Sequence, residues 1–156
     1  MTAPDRPDIA GVVAPPPLVF LSGLLLGWLL QWLFPFRWLP PGWARPLAVA
    51  LFVAGLIAFT AVFAFVRAGT PPDPRRPTTR LVTGGPYRFS RNPMYLGLTL
   101  WYLAVAAWFN ALCVLLVLPF VLYTLQRGVI RREEAYLRRR FGQEYEDYRA
   151  RVRRWL

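Results

Sequence analysis

The chain has 156 residues, of which 56% are hydrophobic and 16% aromatic, and its net charge is +11 with 19 basic residues that are all arginine. It has no histidine, and Cys113 is its only cysteine, which excludes a disulfide and a metal site built from histidines or paired thiolates. The arginines cluster between long apolar runs, a pattern typical of a multispanning membrane protein rather than of a nucleic-acid-binding one. We therefore expect membrane lipids as partners, and neither nucleic acid nor a metal.

The chain begins with a polar, proline-rich segment, residues 1–17, that we predict to be a flexible tail. Four segments without Asp, Glu, Lys or Arg follow, at residues 18–34, 46–66, 93–109 and 111–126. A spanning helix needs about 20 apolar residues, with a range of about 17 to 25, so the last two are at the short end. Only Asn110 separates those two, which predicts a tight helical hairpin.

The distribution of arginine predicts the orientation in the membrane. Six arginines, Arg75 among them, lie in residues 67–92 and ten follow Gln126, whereas the first loop has two and the hairpin turn none. Because cytoplasmic flanks collect basic residues, four spans place both termini and residues 67–92 in the cytoplasm, with the two arginine-rich segments adjacent. The prediction is an all-α integral protein of a bacterial inner membrane, with residues 18–66 forming the first two transmembrane helices.

Residues 127–140 are predicted to continue the fourth span as a cytoplasmic amphipathic helix. Val129, Ile130, Tyr136 and Leu137 recur at helical spacing within it. The remaining stretch, GQEYEDYRARVRRWL, mixes charged and aromatic residues. It either lies on the membrane surface or packs back onto the domain.

The stretch GGPYRFSRNPMYLG, residues 84–97, precedes the third apolar segment. Asn92 followed by Pro93 predicts a helix start, because Asn is a favoured N-cap and proline fits the first turn. A helix N-terminus also attracts anions, and Arg88 and Arg91 lie in the preceding turns. Taken alone, each arginine is better explained as a headgroup anchor, but together with Gly84, Gly85 and Pro86 they suggest a loop shaped to hold a carboxylate or phosphate.

The pair Glu133–Glu134 is the second candidate site. On a helix, Glu134 neighbours Arg131 and Arg138, which explains it as an ion-paired border residue. Glu133 has only apolar or aromatic neighbours at that spacing, and an unpaired carboxylate there is costly. Its partner must therefore come from elsewhere, either an arginine of the other loop or a bound cation.

These motifs together resemble a known family. LVTGGPYRFSRNPMYLG and REEAYLRRRFGQEYEDYRARV, within residues 70–156, closely resemble the isoprenylcysteine carboxyl methyltransferases and the related phospholipid methyltransferases. The resemblance implies S-adenosylmethionine as methyl donor at the cytoplasmic membrane surface, a lipidic acceptor, and a catalytic core over residues 67–156. The cofactor positions it implies are Gly85, Pro86, Tyr87, Arg91, Asn92, Pro93, Tyr95, Glu133 and Glu134.

The resemblance also suggests catalytic roles for Tyr95, Glu133 and Arg151. Arg151 would hold an anionic group of the acceptor, although it is equally explained as a surface arginine. Asn92 stands where many members have histidine, which removes a possible base but keeps a helix cap. The acceptor remains open among carboxylate, amine and thiol. The alternative functions are a non-catalytic membrane scaffold or transporter subunit, and an enzyme similar to sterol reductases.

Overall fold

The computed structural model describes residues 9–71, 73 and 76–156, and within them the regular structure is helical without a strand. Residues 1–8 of the predicted tail and Arg75 lie outside the described part. The α-helices are α1 Pro16–Leu33, α2 Ala44–Phe59, α3 Ala61–Ala68, α4 Pro93–Trp108, α5 Leu112–Leu125, α6 Arg131–Phe141 and α7 Gln143–Arg151. A 3-10 turn, Gly85–Arg88, and a π-helical segment, Gln126–Ile130, complete them. The all-α prediction is thus confirmed.

Three helical stretches are long and apolar enough to cross a membrane. They are Pro16–Leu33 with 18 residues, Ala44–Ala68 with 25 and Leu112–Phe141 with 30. The third predicted span forms α4, which is equally apolar but has only 16 residues. That length is just under the usual range for a spanning helix.

Glycines allow the apolar helices to pack closely. α1 packs along α5, and α2 packs along α4. A Cβ atom at Gly27 would lie 2.7 Å from the Cα of Val114, and one at Gly97 would lie 3.2 Å from the carbonyl oxygen of Gly55. Since lipid tails are as apolar as leucine, close backbone packing at small residues is a main source of cohesion in such bundles.

Asn110 connects the α4–α5 hairpin to the first loop at one end of the helical bundle, which we call the turn end. α4 and α5 form the predicted tight hairpin, and Asn110 adopts a left-handed conformation between them with φ 51°. Its side-chain oxygen accepts from the backbone N–H groups of Trp38 and Leu39 at 3.0 and 2.8 Å, and its amide donates to the carbonyl of Leu39 at 2.9 Å. The hairpin turn and the first loop therefore lie together.

The opposite end, which we call the site end, collects the two arginine-rich segments. Ala61, Tyr87, Tyr145 and Tyr148 form a buried cluster there. Because two of these tyrosines belong to α7, that helix packs back onto the domain, which decides between the two alternatives for the C-terminal stretch. The predicted adjacency of residues 67–92 and the C-terminal region is confirmed.

Candidate functional site

A pocket of about 100 Å³ opens at the site end. Its walls are formed by residues from α3, α4, α6 and α7, from the 3-10 turn and the loops on both sides of it, and by Ala10. The lining residues are Ala10, Phe65, Pro71, Asp73, Thr78, Leu81, Val82, Tyr87, Arg91, Asn92, Met94, Tyr95, Glu133, Glu134, Tyr136, Leu137, Tyr145 and Tyr148.

Tyr95 and Glu133 meet across this pocket. The hydroxyl of Tyr95, in the first turn of α4, donates to Oε1 of Glu133, in α6, at 2.5 Å. Among the described residues, no arginine forms an ion pair with Glu133. The arginine that was one of the two expected partners is therefore not observed, and a tyrosine hydroxyl satisfies one carboxylate oxygen. A bound cation, the other expected partner, stays a prediction.

Glu134 pairs with two arginines that are distant in sequence. Arg154 donates to both of its carboxylate oxygens, from Nε at 2.9 Å and from a terminal nitrogen at 2.6 Å. Arg91 approaches Oε1 at 3.1 Å. The prediction that Glu134 pairs with arginines of its own helix was wrong. Arg138 pairs instead with Glu146 of α7, at 2.6 Å and largely exposed.

Arg91 keeps unused hydrogen-bonding capacity. Its side chain is only 10% exposed, and its Nε is buried without a hydrogen-bond partner among the described residues. One terminal nitrogen reaches Glu134 and lies 3.5 Å from the hydroxyl of Tyr145. An unsatisfied buried N–H of a cation is costly, and the Arg91 side chain that carries it lines the pocket.

Three tyrosines of the pocket wall, Tyr87, Tyr145 and Tyr148, remain neutral. Burial raises the pKa of Tyr148, Tyr87 and Tyr145, and the nearby carboxylate of Glu133 adds to the effect on Tyr87. The hydroxyl of Tyr148 donates to the backbone carbonyl of Tyr87 at 2.8 Å. The rings of these tyrosines border the charged groups of the pocket and limit the access of water to them. The only sequence signal for Tyr145 and Tyr148 was their spacing in a charged stretch.

Two segments that the sequence did not assign to the site close its edges. Tyr136 accepts a hydrogen bond from the backbone N–H of Thr78 at 3.0 Å, which holds the loop against α6. Ala10 is buried and lines the pocket, and the N–H of Val13 donates to the carbonyl of Gly128 at 3.0 Å. Residues 10–13 of the predicted tail thus contact the π-helical segment, a type of bulge that is frequent at functional sites.

Ser90, Arg91 and Asn92 hold the end of the chain. Asn92 precedes α4, as predicted, but its side chain does not cap that helix. Its amide donates to the carbonyl of Arg154 at 2.9 Å, and the hydroxyl of Ser90 donates to the same oxygen at 3.3 Å. The N–H of Arg91 donates to the carbonyl of Arg153 at 2.9 Å.

The remaining predicted site residues lie outside the pocket wall. Gly85 and Pro86 line a second, shallower depression beside Arg67. Pro93 is buried at the start of α4. Arg151 is exposed at the end of α7, where its Nε donates to the carbonyl of Asp147 at 3.1 Å. The structure therefore brings together Tyr87, Arg91, Asn92, Tyr95, Glu133 and Glu134, but not the four residues Gly85, Pro86, Pro93 and Arg151.

Comparison with known proteins places the chain in a family. The model of the phospholipid methyltransferases matches residues 43–144. The chain belongs to the phospholipid methyltransferase family. The match includes Arg91, Tyr95, Glu133 and Glu134, whereas Tyr145, Tyr148 and Arg154 lie just beyond it. Most of the pocket wall is therefore part of the phospholipid methyltransferase region.

Two curated proteins are similar to parts of the chain. An uncharacterized protein of Haemophilus influenzae is 47% identical over 64 residues, which are 40% of this chain and 100% of that protein. The protein-S-isoprenylcysteine O-methyltransferase of Schizosaccharomyces pombe is 38% identical over 72 residues, 46% of this chain and 30% of that enzyme. This member of the phospholipid methyltransferase family thus matches less than a third of the yeast enzyme's length. No solved structure matches the chain.

Proposed function

We propose that the protein is an S-adenosylmethionine-dependent methyltransferase that acts at the cytoplasmic membrane surface on a lipidic acceptor with a carboxylate, amine or thiol. One observation carries this proposal beyond family membership. Arg91 and Glu133, of opposite charge, face the same pocket, and each retains capacity for a further partner. A ligand with both a carboxylate and an ammonium group would match them.

The charged and aromatic groups of the pocket fit the chemistry of this cofactor. The unpartnered Nε of Arg91 is a suitable donor for the methionyl carboxylate. Glu133 accepts one hydrogen bond, from Tyr95, and its other oxygen can accept from an ammonium or a ribose hydroxyl. The rings of Tyr87, Tyr95 and Tyr148 suit a sulfonium, which aromatic faces attract.

S-adenosylmethionine supplies an activated methyl group on a cationic sulfur. The protein's contribution is to bind, orient and exclude water, effects that together can lower a barrier by about 7 to 11 kcal/mol. A carboxylate or thiolate acceptor requires no proton transfer. An amine acceptor must first lose a proton, and Glu133 is a carboxylate in the pocket wall that forms no ion pair with an arginine of the described residues.

We further propose that all four apolar segments cross a bacterial inner membrane, with both termini and the site end in the cytoplasm. At 1.5 Å per residue, α4 extends about 24 Å, less than the roughly 30 Å of a hydrocarbon core. Local thinning of the bilayer accommodates a mismatch of this size at modest cost. The arginines at the site end support the orientation.

Calorimetry with S-adenosylhomocysteine on detergent-purified protein tests the proposal. Wild type should bind, and Glu133→Gln should raise Kd roughly tenfold to 150-fold, because a charge-assisted hydrogen bond contributes about 1.5–3 kcal/mol. Arg138→Gln is the control, since it removes an exposed ion pair worth about 0–1 kcal/mol outside the pocket wall. Absence of binding to folded wild type would refute the enzyme, and equal effects of both variants would refute the assigned site.

A further inference from the structure

Arg154 lies outside the pocket wall but contacts Glu134 within it. We propose that Arg154 is a positioning residue: it saturates the Glu134 carboxylate and thereby leaves Arg91 available to the pocket ligand. The inference rests on the proposed function for the identity of the ligand. Its structural basis is the contacts among the side chains of Arg154, Glu134 and Arg91. Arg154, Glu134 and Arg91 have side chains that are 32%, 14% and 10% exposed.

The two arginines compete for one carboxylate. Arg154 contacts Glu134 through two hydrogen bonds, one to each carboxylate oxygen, at 2.9 and 2.6 Å, which is the strong bidentate arrangement. Arg91 makes a single approach at 3.1 Å to an oxygen that Arg154 already occupies. Glu134 is therefore committed mainly to Arg154, and the guanidinium of Arg91 retains its buried, unpartnered Nε.

The backbone places Arg154 independently of its guanidinium. The carbonyl of Arg154 accepts from Ser90 and Asn92, and the preceding carbonyl accepts from the N–H of Arg91. A substitution of the Arg154 side chain leaves these bonds possible. The variant should therefore keep the tail in place while freeing Glu134.

A freed Glu134 would form a closer ion pair with Arg91. Arg91 would then be withdrawn from the ligand, although it had not been mutated. Removing the carboxylate as well should reverse the effect, because no anion would remain to capture Arg91. A purely structural role of Arg154 predicts no such recovery.

The ligand experiment compares four variants by S-adenosylhomocysteine calorimetry. Arg154→Gln should raise Kd about tenfold or more, and the double variant Glu134→Gln/Arg154→Gln should bind at least about threefold more tightly than Arg154→Gln alone. Arg154→Lys should restore binding only in part, because lysine cannot make the bidentate contact. Arg153→Gln is the matched control: it removes an exposed charge one residue away and should bind as wild type does.

A ligand-free experiment separates this inference from the proposed function. The Tm values of Arg91→Gln, Glu134→Gln and their combination measure how strongly the two residues are coupled. The departure from additivity between the Arg91→Gln and Glu134→Gln effects on Tm should increase when Arg154→Gln is also present. If it does not, or if the double variant binds as weakly as Arg154→Gln alone, the inference is overturned. If wild type binds no S-adenosylhomocysteine, the proposed function fails, and the Tm comparison still decides the competition for Glu134.

Discussion

Tyr95→Phe removes one buried atom from the centre of the candidate site. Tyr95 is 7% exposed, and its hydroxyl donates to Glu133 at 2.5 Å. A hydrogen bond to a charged group contributes about 1.5–3 kcal/mol, and here its loss leaves a carboxylate oxygen without its donor. We expect the free energy of unfolding to fall by about 2 kcal/mol. At about 2–4 °C per kcal/mol for a chain of this size, Tm should fall by about 4–8 °C.

Thermal unfolding of detergent-purified protein, followed by circular dichroism, measures this change. Tyr123→Phe is the matched control, because Tyr123 is 62% exposed on α5 and does not line the pocket. The double variant Tyr95→Phe/Glu133→Gln should be more stable than the sum of the single effects predicts, since it leaves no unpaired charge. A Tm for Tyr95→Phe equal to that of the control, or strictly additive effects, would refute the pairing.

Two further substitutions test the bundle that supports the site. Gly27→Ala places a Cβ 2.7 Å from the Cα of Val114, so Tm should fall despite the better helix propensity of alanine. Gly84→Ala meets nothing within 4 Å and should leave Tm unchanged; equal shifts would contradict the close helix contact. Asn110→Gly keeps the left-handed turn but removes three hydrogen bonds, and should cost about 1–3 kcal/mol in denaturant unfolding. An unchanged midpoint would show that the turn end does not depend on the asparagine.

The sequence predicts those features that local patterns determine. The absence of charge over long stretches locates the apolar helices, and Asn92–Pro93 marks the start of α4 because both residues have position-specific preferences at a helix N-terminus. Helical spacing also shows that Glu133 belongs to an inward-facing stripe. Each of these signals acts over a few residues, so it can be read without knowing the fold.

The partners of the charged groups depend on the tertiary fold. Helical spacing offers Arg131 and Arg138 to Glu134, but the observed partners come from another loop and from the end of the chain. Arg154 reaches the site because α7 ends at Arg151 and Val152 is extended, with φ −121° and ψ 129°, which redirects the last residues. No short-range pattern distinguishes Arg154 from its neighbouring arginines.

Gly85 and Pro86 show a second limit of sequence reasoning. The family resemblance assigns them to the cofactor together with Tyr87, but the tight 3-10 turn distributes the three residues between two faces. Tyr87 points into the pocket, whereas Gly85 and Pro86 line the separate depression. A motif fixes which residues are close in the chain, and only the backbone conformation decides which of them share a surface.

Transfer of a heavy methyl group from labelled S-adenosylmethionine to membrane lipids is the most direct test of the central claim. Membranes containing the wild-type protein are compared by lipid mass spectrometry with membranes containing Glu133→Gln, at equal amounts of folded protein. We predict that wild type labels a lipid species and that Glu133→Gln labels it much more slowly, while Arg138→Gln behaves as wild type. Labelling that is absent with wild type, or unchanged by Glu133→Gln, would contradict the account.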